Sequence, residues 1–377
     1  MITSKFSYWK LKTFLCFLIM ISVFSVGCIS DKTHAEVRKD NVNVLDYGAA
    51  GDGKTDDTIA LQKALQAGAS VYLPEGRVFV VDTLRIPSNS YIFGGGTIKF
   101  KNNTTAGTLF LAQSVTNIKI ENIIFDGNIQ NNAFDQHKHC ITLLAANNVQ
   151  ISSCTFINII GDGVYISYPL YTLQPGSSNV TITDNKFLGS NTNRNGVSLI
   201  SCSNITITGN KFDKMARYDM PGAIDLEPNT AAESISHVKV SNNTFTNGDS
   251  PAPLYQMAVA VANVFGSLID DIIISDNYID GKFYNGIIID DKLHKVTNVE
   301  ITNNVVKNIE GKQRSASGIA MFGAWDFKIT GNNISSITGH GIFCVGASGS
   351  ILNNTITNTS ASPMMLDNPG NYINAGN

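Results

Sequence analysis

A short apolar pattern recurs nine times along the chain, and this repeat constrains the fold more than any other feature of the sequence. In each copy an apolar residue is followed, always five residues later, by a second one. The copies begin 22–34 residues apart, at Ile120, Ile151, Ile182, Ile207, Val240, Ile274, Ile301, Ile329 and Ile351. The second residues are Phe125, Phe156, Phe187, Phe212, Phe245, Ile279, Val306, Ile334 and Ile356. A period of this length is typical of solenoids, in which each repeat stacks on its neighbours.

A second alternating segment precedes most copies of the repeat. It begins at Gly163, Gly196, Ala223, Gly286, Gly318 and Gly341. Each unit therefore holds at least two short strands with corners between them, and helical periodicity is absent from the repeats. Parallel β-connections are almost always right-handed. We predict an all-β fold: a right-handed parallel β-helix that forms a single domain over residues 42–377.

Asparagine occupies one fixed position in most units, three residues after the leading apolar residue. The seven members are Asn185, Asn210, Asn243, Asn277, Asn304, Asn332 and Asn354. Asparagine tolerates the left-handed backbone conformation that a tight corner needs. Stacked amide side chains can also hydrogen-bond from one coil to the next. We expect a structural ladder, with the phenylalanines of the repeat stacked inside the coils.

A capping helix is predicted over residues 56–67. Acidic residues at Asp56 and Asp57 suit a helix N-terminus, and Gly68 is a natural stop. Ile59, Leu61, Ala64 and Leu65 supply an apolar side. A solenoid needs such a cap because its terminal coil would otherwise expose its core.

Composition excludes several classes of protein. Only 15% of the residues are charged, 43% are hydrophobic and the formal net charge is −3, so neither a disordered chain nor a nucleic-acid partner is expected. The spacing of Cys140, Cys154, Cys202 and Cys344 fits neither a disulfide framework nor a zinc site. We interpret these cysteines as small buried residues and expect no metal centre from them.

The first 35 residues have the character of a secretion signal. Three lysines precede an apolar run, residues 14–26, which is shorter than a membrane span requires. Two exits are open: a lipid on Cys28, after Ser25-Val26-Gly27, or cleavage after Ala35. We expect a secreted protein or a lipoprotein of the bacterial cell surface, with membrane attachment through a lipidated Cys28 as one possibility. The sequence leaves the oligomeric state open.

The entry segment carries a long, specific motif. It runs Asn43-Val44-Leu45-Asp46-Tyr47-Gly48-Ala49, then Gly51-Asp52-Gly53-Lys54-Thr55-Asp56-Asp57-Thr58, and is followed by Val71-Tyr72-Leu73-Pro74-Glu75-Gly76. This motif resembles the opening of the pectate lyase superfamily of the rhamnogalacturonase and epimerase type. The resemblance implies a right-handed parallel β-helix that acts on polysaccharides. It leaves the reaction open, because such a family includes hydrolases, lyases, epimerases and glycan binders.

Two carboxylates on one strand are the strongest catalytic candidates. Asp225 and Glu227 lie two residues apart, so both side chains point to the same face, with Cα atoms about 6.6 Å apart. Two neighbouring carboxylates repel each other, which raises one pKa and suits acid–base chemistry. We predict that this pair lies on the floor of an elongated groove, midway along the solenoid.

Other chemistry-bearing side chains fall on the same face or at the corner before it. Cations suit sugar carboxylates, and aromatic rings stack on sugar faces. We therefore predict substrate contacts from Tyr165, Arg194, Arg217, Tyr218, Lys282, Tyr284, Asp290, Arg314, His137 and His139.

The expected activity is cleavage of an acidic or uronate-containing polysaccharide, as a glycoside hydrolase that uses Asp225 and Glu227, with Asp290 as a further candidate. A lyase or epimerase is the alternative, with Lys282, Tyr218 or Arg217 as the base. A third reading is a non-catalytic glycan binder. No cofactor is expected, apart from calcium if the protein is a lyase.

Overall fold

The computed structural model describes residues 41–170, 175–190, 193–215, 221–247, 256–311, 316–367 and 372–377. These residues belong to one compact unit. The predicted signal, with Cys28 and Ala35, lies outside the described residues. In the described ranges, none of the helices combines the length and the apolar character that crossing a bilayer requires.

Three parallel sheets run the length of the molecule, and each coil adds one strand to each sheet. The first sheet contains Val42–Asn43, Ser70–Tyr72, Ser90–Phe93, Thr116–Glu121, Asn147–Ser152, Ser177–Thr183, Cys202–Thr208, Ser234–Ser241, Leu268–Ser275, Val296–Thr302, Trp325–Thr330, Ser348–Leu352 and Tyr372–Ala375. The second contains Asp52–Asp56, Val78–Val81, Thr97–Phe100, Ile124–Asp126, Thr155–Ile157, Lys186–Leu188, Lys211–Asp213, Thr244–Thr246, Tyr278–Asp280, Val305–Ile309, Asn333–Ile337 and Thr355–Thr359. The third contains Leu84–Arg85, Thr108–Gln113, His139–Leu144, Val164–Ser167, Val197–Leu199, Gly222–Leu226, Met257–Asn263, Asn285–Asp291, Ser317–Phe322, His340–Val345 and Met364–Leu366. The predicted right-handed parallel β-helix is confirmed.

The fixed five-residue interval spans the corner between the first and second sheets. Ile207 pairs with Val240 in the first sheet, and Phe212 pairs with Phe245 in the second. The leading residue and its partner five positions later both point into the coil, so every repeat contributes the same two core positions.

The phenylalanines form a continuous stack inside the solenoid. Rings of Phe125, Phe156, Phe187, Phe212 and Phe245 follow one another with centroids 4.5–5.1 Å apart and nearly parallel planes. All five are buried. The predicted stack is confirmed, and its spacing follows from the distance between neighbouring strands.

The asparagine ladder is also confirmed, and its hydrogen bonds run from coil to coil. Asn243 is typical: its Nδ2 donates to Asn277 Oδ1 at 3.0 Å and to the carbonyl of Ile207 at 2.9 Å, and its backbone N–H donates to Asn277 Oδ1. The ladder continues to Asn377, whose Oδ1 accepts from Asn354.

One of the two expected reasons for asparagine at these positions, its tolerance of the left-handed conformation, was wrong. The left-handed residue is the one before each ladder asparagine, as in Asp184, Gly209, Asn242, Asp276, Asn303, Gly331 and Asn353. The corner is therefore turned one residue earlier, which leaves the asparagine side chain pointing into the coil. Hydrogen bonding, and not backbone tolerance, accounts for the ladder.

The capping helix spans Thr58–Ala67 and is the only α-helix in the described part of the chain; two short 3-10 helices are Val44–Tyr47 and Ile129–Asn131. Leu61, Ala64 and Leu65 join the core, but Ile59 is 72% exposed and does not belong to the apolar side. The reason is geometric, since two residues along a helix rotate a side chain by roughly 200°, onto the opposite face.

Side chains near this helix secure the first coil. The buried Asp57 accepts hydrogen bonds from the backbone N–H groups of Ala50 and Gly51, which holds the entry loop. Gln62 exchanges two hydrogen bonds with the backbone of Arg85 and so covers the edge strand Leu84–Arg85. An edge strand left bare would be open to pairing with another chain.

Replacing Phe212 by alanine tests the stack. We expect Phe212→Ala to lower the free energy of unfolding by about 3–5 kcal/mol, because a fully buried ring leaves a cavity between two others. Urea unfolding followed by circular dichroism gives the value, with Phe134→Ala, at an exposed phenylalanine, as the control. Equal losses in the two variants would contradict the stacked core.

Candidate functional site

The outward face of the third sheet carries the predicted pair at its centre. The strand Gly222–Leu226 is the sixth of eleven in the order of this sheet, so Asp225 lies midway along the solenoid. Asp225 is aligned with Ser198 and Tyr165 in the two preceding strands. Because successive side chains of a strand point to opposite faces, Ile224 and Leu226 point into the core and both carboxyl side chains point outward.

A small polar cavity of about 80 Å³ opens beside this strand. Its walls come from four successive strands of the third sheet and the corners that adjoin them. The lining residues are Gln136, His137, His139, Asp162, Tyr165, Arg194, Ile200, Asp225, Glu227 and Asn229. Six of the predicted site residues are thus brought together: Asp225, Glu227, Arg194, Tyr165, His137 and His139.

Asp225 is almost fully enclosed, with 1% of its surface exposed. Asn195 Nδ2 donates to Asp225 Oδ2 at 3.0 Å, whereas no donor among the described residues reaches the buried Oδ1. The carboxyl group of Glu227 is close enough to share a hydrogen bond when one of the two is protonated. A proton on this pair therefore satisfies an oxygen that would otherwise be buried without a partner.

Burial is the main reason why the pKa values of this pair are raised. It raises the pKa of Asp225 well above its usual range, and the neighbouring charge of Glu227 adds to the effect. Burial also raises the pKa of Glu227, against the opposing influence of Arg194. Because the two groups interact, they titrate as a unit that releases its proton at higher pH than an ordinary carboxyl group.

A buried ion pair organises the cavity wall. Asp162 is fully buried, and Arg194 Nη1 donates to both of its carboxylate oxygens, at 3.0 and 3.3 Å. The backbone N–H of Asn195 approaches the same carboxylate at 3.3 Å. The sequence analysis missed Asp162 and Asn195. Both residues lie immediately before the glycine that opens an outward strand, as in Gly161-Asp162-Gly163. That position is the sequence signal that could have identified them.

His139 is neutral. The backbone N–H of Asp162 donates to its Nδ1 at 3.1 Å, so the ring proton is on Nε2. An Asp162 carboxylate oxygen lies 3.3 Å from the same Nδ1, but burial outweighs this attraction and lowers the pKa of His139 to about 4. The ring stacks on Tyr165 with centroids 4.5 Å apart, and burial raises the pKa of Tyr165 to about 12.

Three other predicted residues lie away from the cavity. Lys282 Nζ lies 3.7 Å from a carboxylate oxygen of Glu310, and Tyr284 is buried at the corner before its strand. Asp290 points outward two strands beyond Glu227, in the same row. Arg217, Tyr218 and Arg314 lie outside the described residues.

The predicted open groove does not extend along the Asp225 row. Beyond the central strand this row continues with Ala260, Ile288 and Ala320, which are all buried in a small apolar cluster with Met257 and Phe322. The neighbouring row, which holds Glu227, Ala262 and Asp290, keeps partial exposure. Any passage along the sheet must therefore follow the Glu227 row.

Across the described ranges, no group of three or more histidine, cysteine, aspartate or glutamate side chains is arranged to hold a metal ion. The four cysteines named above are buried, and burial raises the pKa of the Cys154 thiol to about 12. Such a thiol is protonated and unreactive. Calcium for a lyase stays a prediction.

Two family models match parts of the chain. Residues 41–211 match the family described as rhamnogalacturonase A/epimerase, pectate lyase-like, and residues 175–361 match the right handed beta helix region. A plasmin and fibronectin-binding protein A of Streptococcus pneumoniae is 25% identical over 345 residues, which cover 80% of this chain and 44% of the pneumococcal protein. The chain spans less than half the length of the curated relatives it matches.

Two solved structures show the same fold. The A-module of the Azotobacter vinelandii mannuronan C-5 epimerase AlgE6 superposes with a TM-score of 0.61 at 18% identity, covering 89% of this chain and 98% of that one. An exopolygalacturonase of Thermotoga maritima superposes with a TM-score of 0.53 at 14% identity, covering 91% and 93%. The chain therefore carries a rhamnogalacturonase A/epimerase, pectate lyase-like segment over residues 41–211 and has the right-handed β-helix fold.

Proposed function

We propose that the protein hydrolyses a polysaccharide and that the Asp225–Glu227 pair supplies the proton to the leaving sugar. The observation that carries the proposal is the pair itself: two adjacent carboxyl groups at the centre of the solenoid, one of them enclosed, where burial raises the pKa of both. A general acid must be protonated at its working pH, and a raised pKa provides this.

The two members of the pair have different tasks. Glu227 keeps partial exposure and lines the cavity, so it is the group that meets the glycosidic oxygen. Asp225 lies behind it and is held by Asn195. As the bond from the sugar C1 to the leaving oxygen breaks, that oxygen takes the proton from Glu227. The negative charge that develops on the pair is stabilised by Arg194, which acts on both carboxyl groups.

Asp290 is the proposed base. It occupies the Glu227 row two strands further on, which puts the two Cα atoms about 9.6 Å apart at a strand spacing of about 4.8 Å. The residue between them is Ala262, which is small enough to leave room for a sugar and a water molecule. Side chains of this length can bring the two carboxyl groups within the roughly 6.5–9.5 Å that is typical of inverting hydrolases, so we propose inversion at C1.

A lyase or epimerase is the second candidate, and a different observation favours it. Tyr165 and the neutral His139 stack on each other beside Arg194, a set that could move a proton at a sugar carbon next to a carboxylate. Of the three bases proposed from the sequence, Lys282 lies near Glu310 and not in the cavity, and Arg217 and Tyr218 lie outside the described residues. The structural likeness to a mannuronan C-5 epimerase agrees with this candidate at the level of fold.

The cavity offers little positive charge to an acidic substrate. Arg194 is the only lysine or arginine among the described lining residues, and its charge is matched by Asp162. Acidic substituents of a uronate polymer would then need cations outside the cavity. A non-catalytic glycan binder would show no turnover; the pneumococcal relative is named for binding plasmin and fibronectin.

Amide substitutions test the assignment of acid and base. Glu227→Gln, Asp225→Asn and Asp290→Asn should each lower kcat by about 10²–10⁴-fold, because each removes a proton donor or acceptor. Reducing ends released from polygalacturonate, alginate and a neutral β-glucan measure turnover, with Glu300→Gln, an exposed carboxylate on the first sheet, as the control.

The outcomes separate the candidates. Inversion, read from the anomer that proton NMR first detects, supports the hydrolase. Ultraviolet absorbance from an unsaturated uronate product, with loss on Tyr165→Phe, would replace it by the lyase. Full activity in all three amide variants would show that these carboxylates are ordinary surface groups.

The protonated pair also predicts a pH-dependent stability. The folded pKa of Asp225 lies above the unfolded value near 3.8, so its stabilising contribution is present below that value and is lost as the pH rises through the folded pKa. Asp225→Asn cannot lose a proton. We therefore expect the variant to be more stable than the wild type at neutral pH, by a margin that shrinks toward pH 4.

Urea unfolding from pH 4 to pH 8 measures this difference. His139 has the opposite dependence, since its pKa falls from 6.5 to about 4 on folding and its contribution is lost as the pH drops between those values. Both proteins contain His139, so its contribution cancels in the comparison. A variant that is less stable than the wild type by the same margin at every pH would refute a protonated Asp225.

A further inference from the structure

Large apolar side chains are exposed at one corner of three successive coils. The corner joins the third sheet to the first, directly after the strands Met257–Asn263, Asn285–Asp291 and Ser317–Phe322. Phe265 is 52% exposed, Leu293 53% and Trp325 50%, and Val264 and Leu268 are exposed beside them. Contiguous apolar surface of this kind marks interaction sites in soluble proteins. We call these five residues the corner stripe.

A series of contacts links the corner stripe to the loop beside the cavity. The loop after Glu227 is tied to the next corner, where Ser267 Oγ donates to the carbonyl of Thr230 at 2.8 Å. A Cβ built on Gly266 would come within 2.8 Å of Leu293 Cδ1, so the second corner is packed against the third. His294 then meets the ring of Trp325, with centroids 5.5 Å apart. The corners from the loop after Glu227 to Trp325 are thus in contact from one coil to the next.

We propose that the corner stripe is an extended binding site for the polysaccharide chain, on the C-terminal side of the cleavage site. The apolar faces of pyranose rings would pack on Phe265, Leu293 and Trp325. The exposed Lys292 and Lys295, in the same corner as Leu293, would meet acidic substituents. This inference rests on the proposed function, because it assigns the stripe to the same glycan.

Geometry favours a glycan strand as the occupant. The stripe takes three side chains from its first corner and one from each of the next two, and it advances by one coil, about 4.8 Å, at each step, so it covers about 14 Å along the axis from the coil of Glu227. A narrow, linear surface suits a linear polymer. Lys292 and Lys295 beside the stripe supply the cations that the cavity lacks, since Arg194 is already paired with Asp162.

The test uses binding and turnover as separate readouts. Affinity electrophoresis in gels that contain polygalacturonate, alginate or a neutral β-glucan measures retention of the Glu227→Gln protein. Adding Phe265→Ala and Trp325→Ala should weaken the retention by at least about tenfold, as truncation of buried aromatic anchors does. Adding Ile59→Ala, at a still more exposed apolar residue on the capping helix, should change nothing.

Turnover by the otherwise wild-type protein supplies the second readout. The Phe265→Ala and Trp325→Ala pair should raise KM for the polymer and leave kcat/KM for its shortest cleaved oligosaccharide unchanged. Equal binding by the double variant, or no retention of the parent protein by any polymer, overturns the proposal.

Other occupants give distinct results. If the stripe joins two copies of the chain, light scattering will show a dimer that the double variant loses. If it meets a membrane, vesicles of phosphatidylglycerol will retain the parent protein and not the variant. Either result, without a change in polymer retention, rejects the glycan assignment. Retention that depends on the stripe in a wild type without turnover would keep the stripe and reject the hydrolase.

Discussion

Coil-to-coil register is the constraint on which every other feature of this molecule depends. Each ladder asparagine binds the asparagine of the next coil through both its side chain and its backbone N–H, so a shift of one residue would break a buried hydrogen bond in every repeat. The phenylalanine stack depends on the same alignment. Because of this register, residues from four successive coils meet in one cavity, although each lies about 30 residues along the sequence from the one in the coil before it.

The cavity uses that rigidity to hold groups that are unfavourable on their own. Asp162 is buried with its countercharge on Arg194, and Asp225 is buried beside Glu227 with a single amide donor. Buried carboxyl groups destabilise a fold unless they are paired or protonated. The two solutions lie side by side here. One carboxylate is paired with Arg194 and organises the wall, and the other two groups have raised pKa values that favour a proton that can be transferred.

Sequence patterns predicted the features that repeat and missed those that occur once. The strands, the phenylalanine stack and the asparagine ladder each recur in many coils, so chance similarity was excluded by repetition. Asp162 and Asn195 hold a position before glycine that is polar in several coils, but their contacts with Arg194 and Asp225 each occur once, so the pattern could not show them. The burial of Ala260 and Ala320 was equally invisible, since alternation shows which side chains point outward but not what packs over them. Asp225 and Glu227 were found because their two-residue spacing fixes a shared face whatever surrounds them.

The central claim is that the Asp225–Glu227 pair holds a proton that an ordinary carboxyl group would have lost. Infrared difference spectra between the wild type and Asp225→Asn, recorded from pH 3 to pH 9, detect the carbonyl stretch of a protonated carboxylic acid directly. The account predicts a band that persists well above the pH near 4 at which isolated carboxyl groups ionise. A band that vanishes with a midpoint near 4 would show that Asp225 is ionised at neutral pH, and the proposed acid would be wrong.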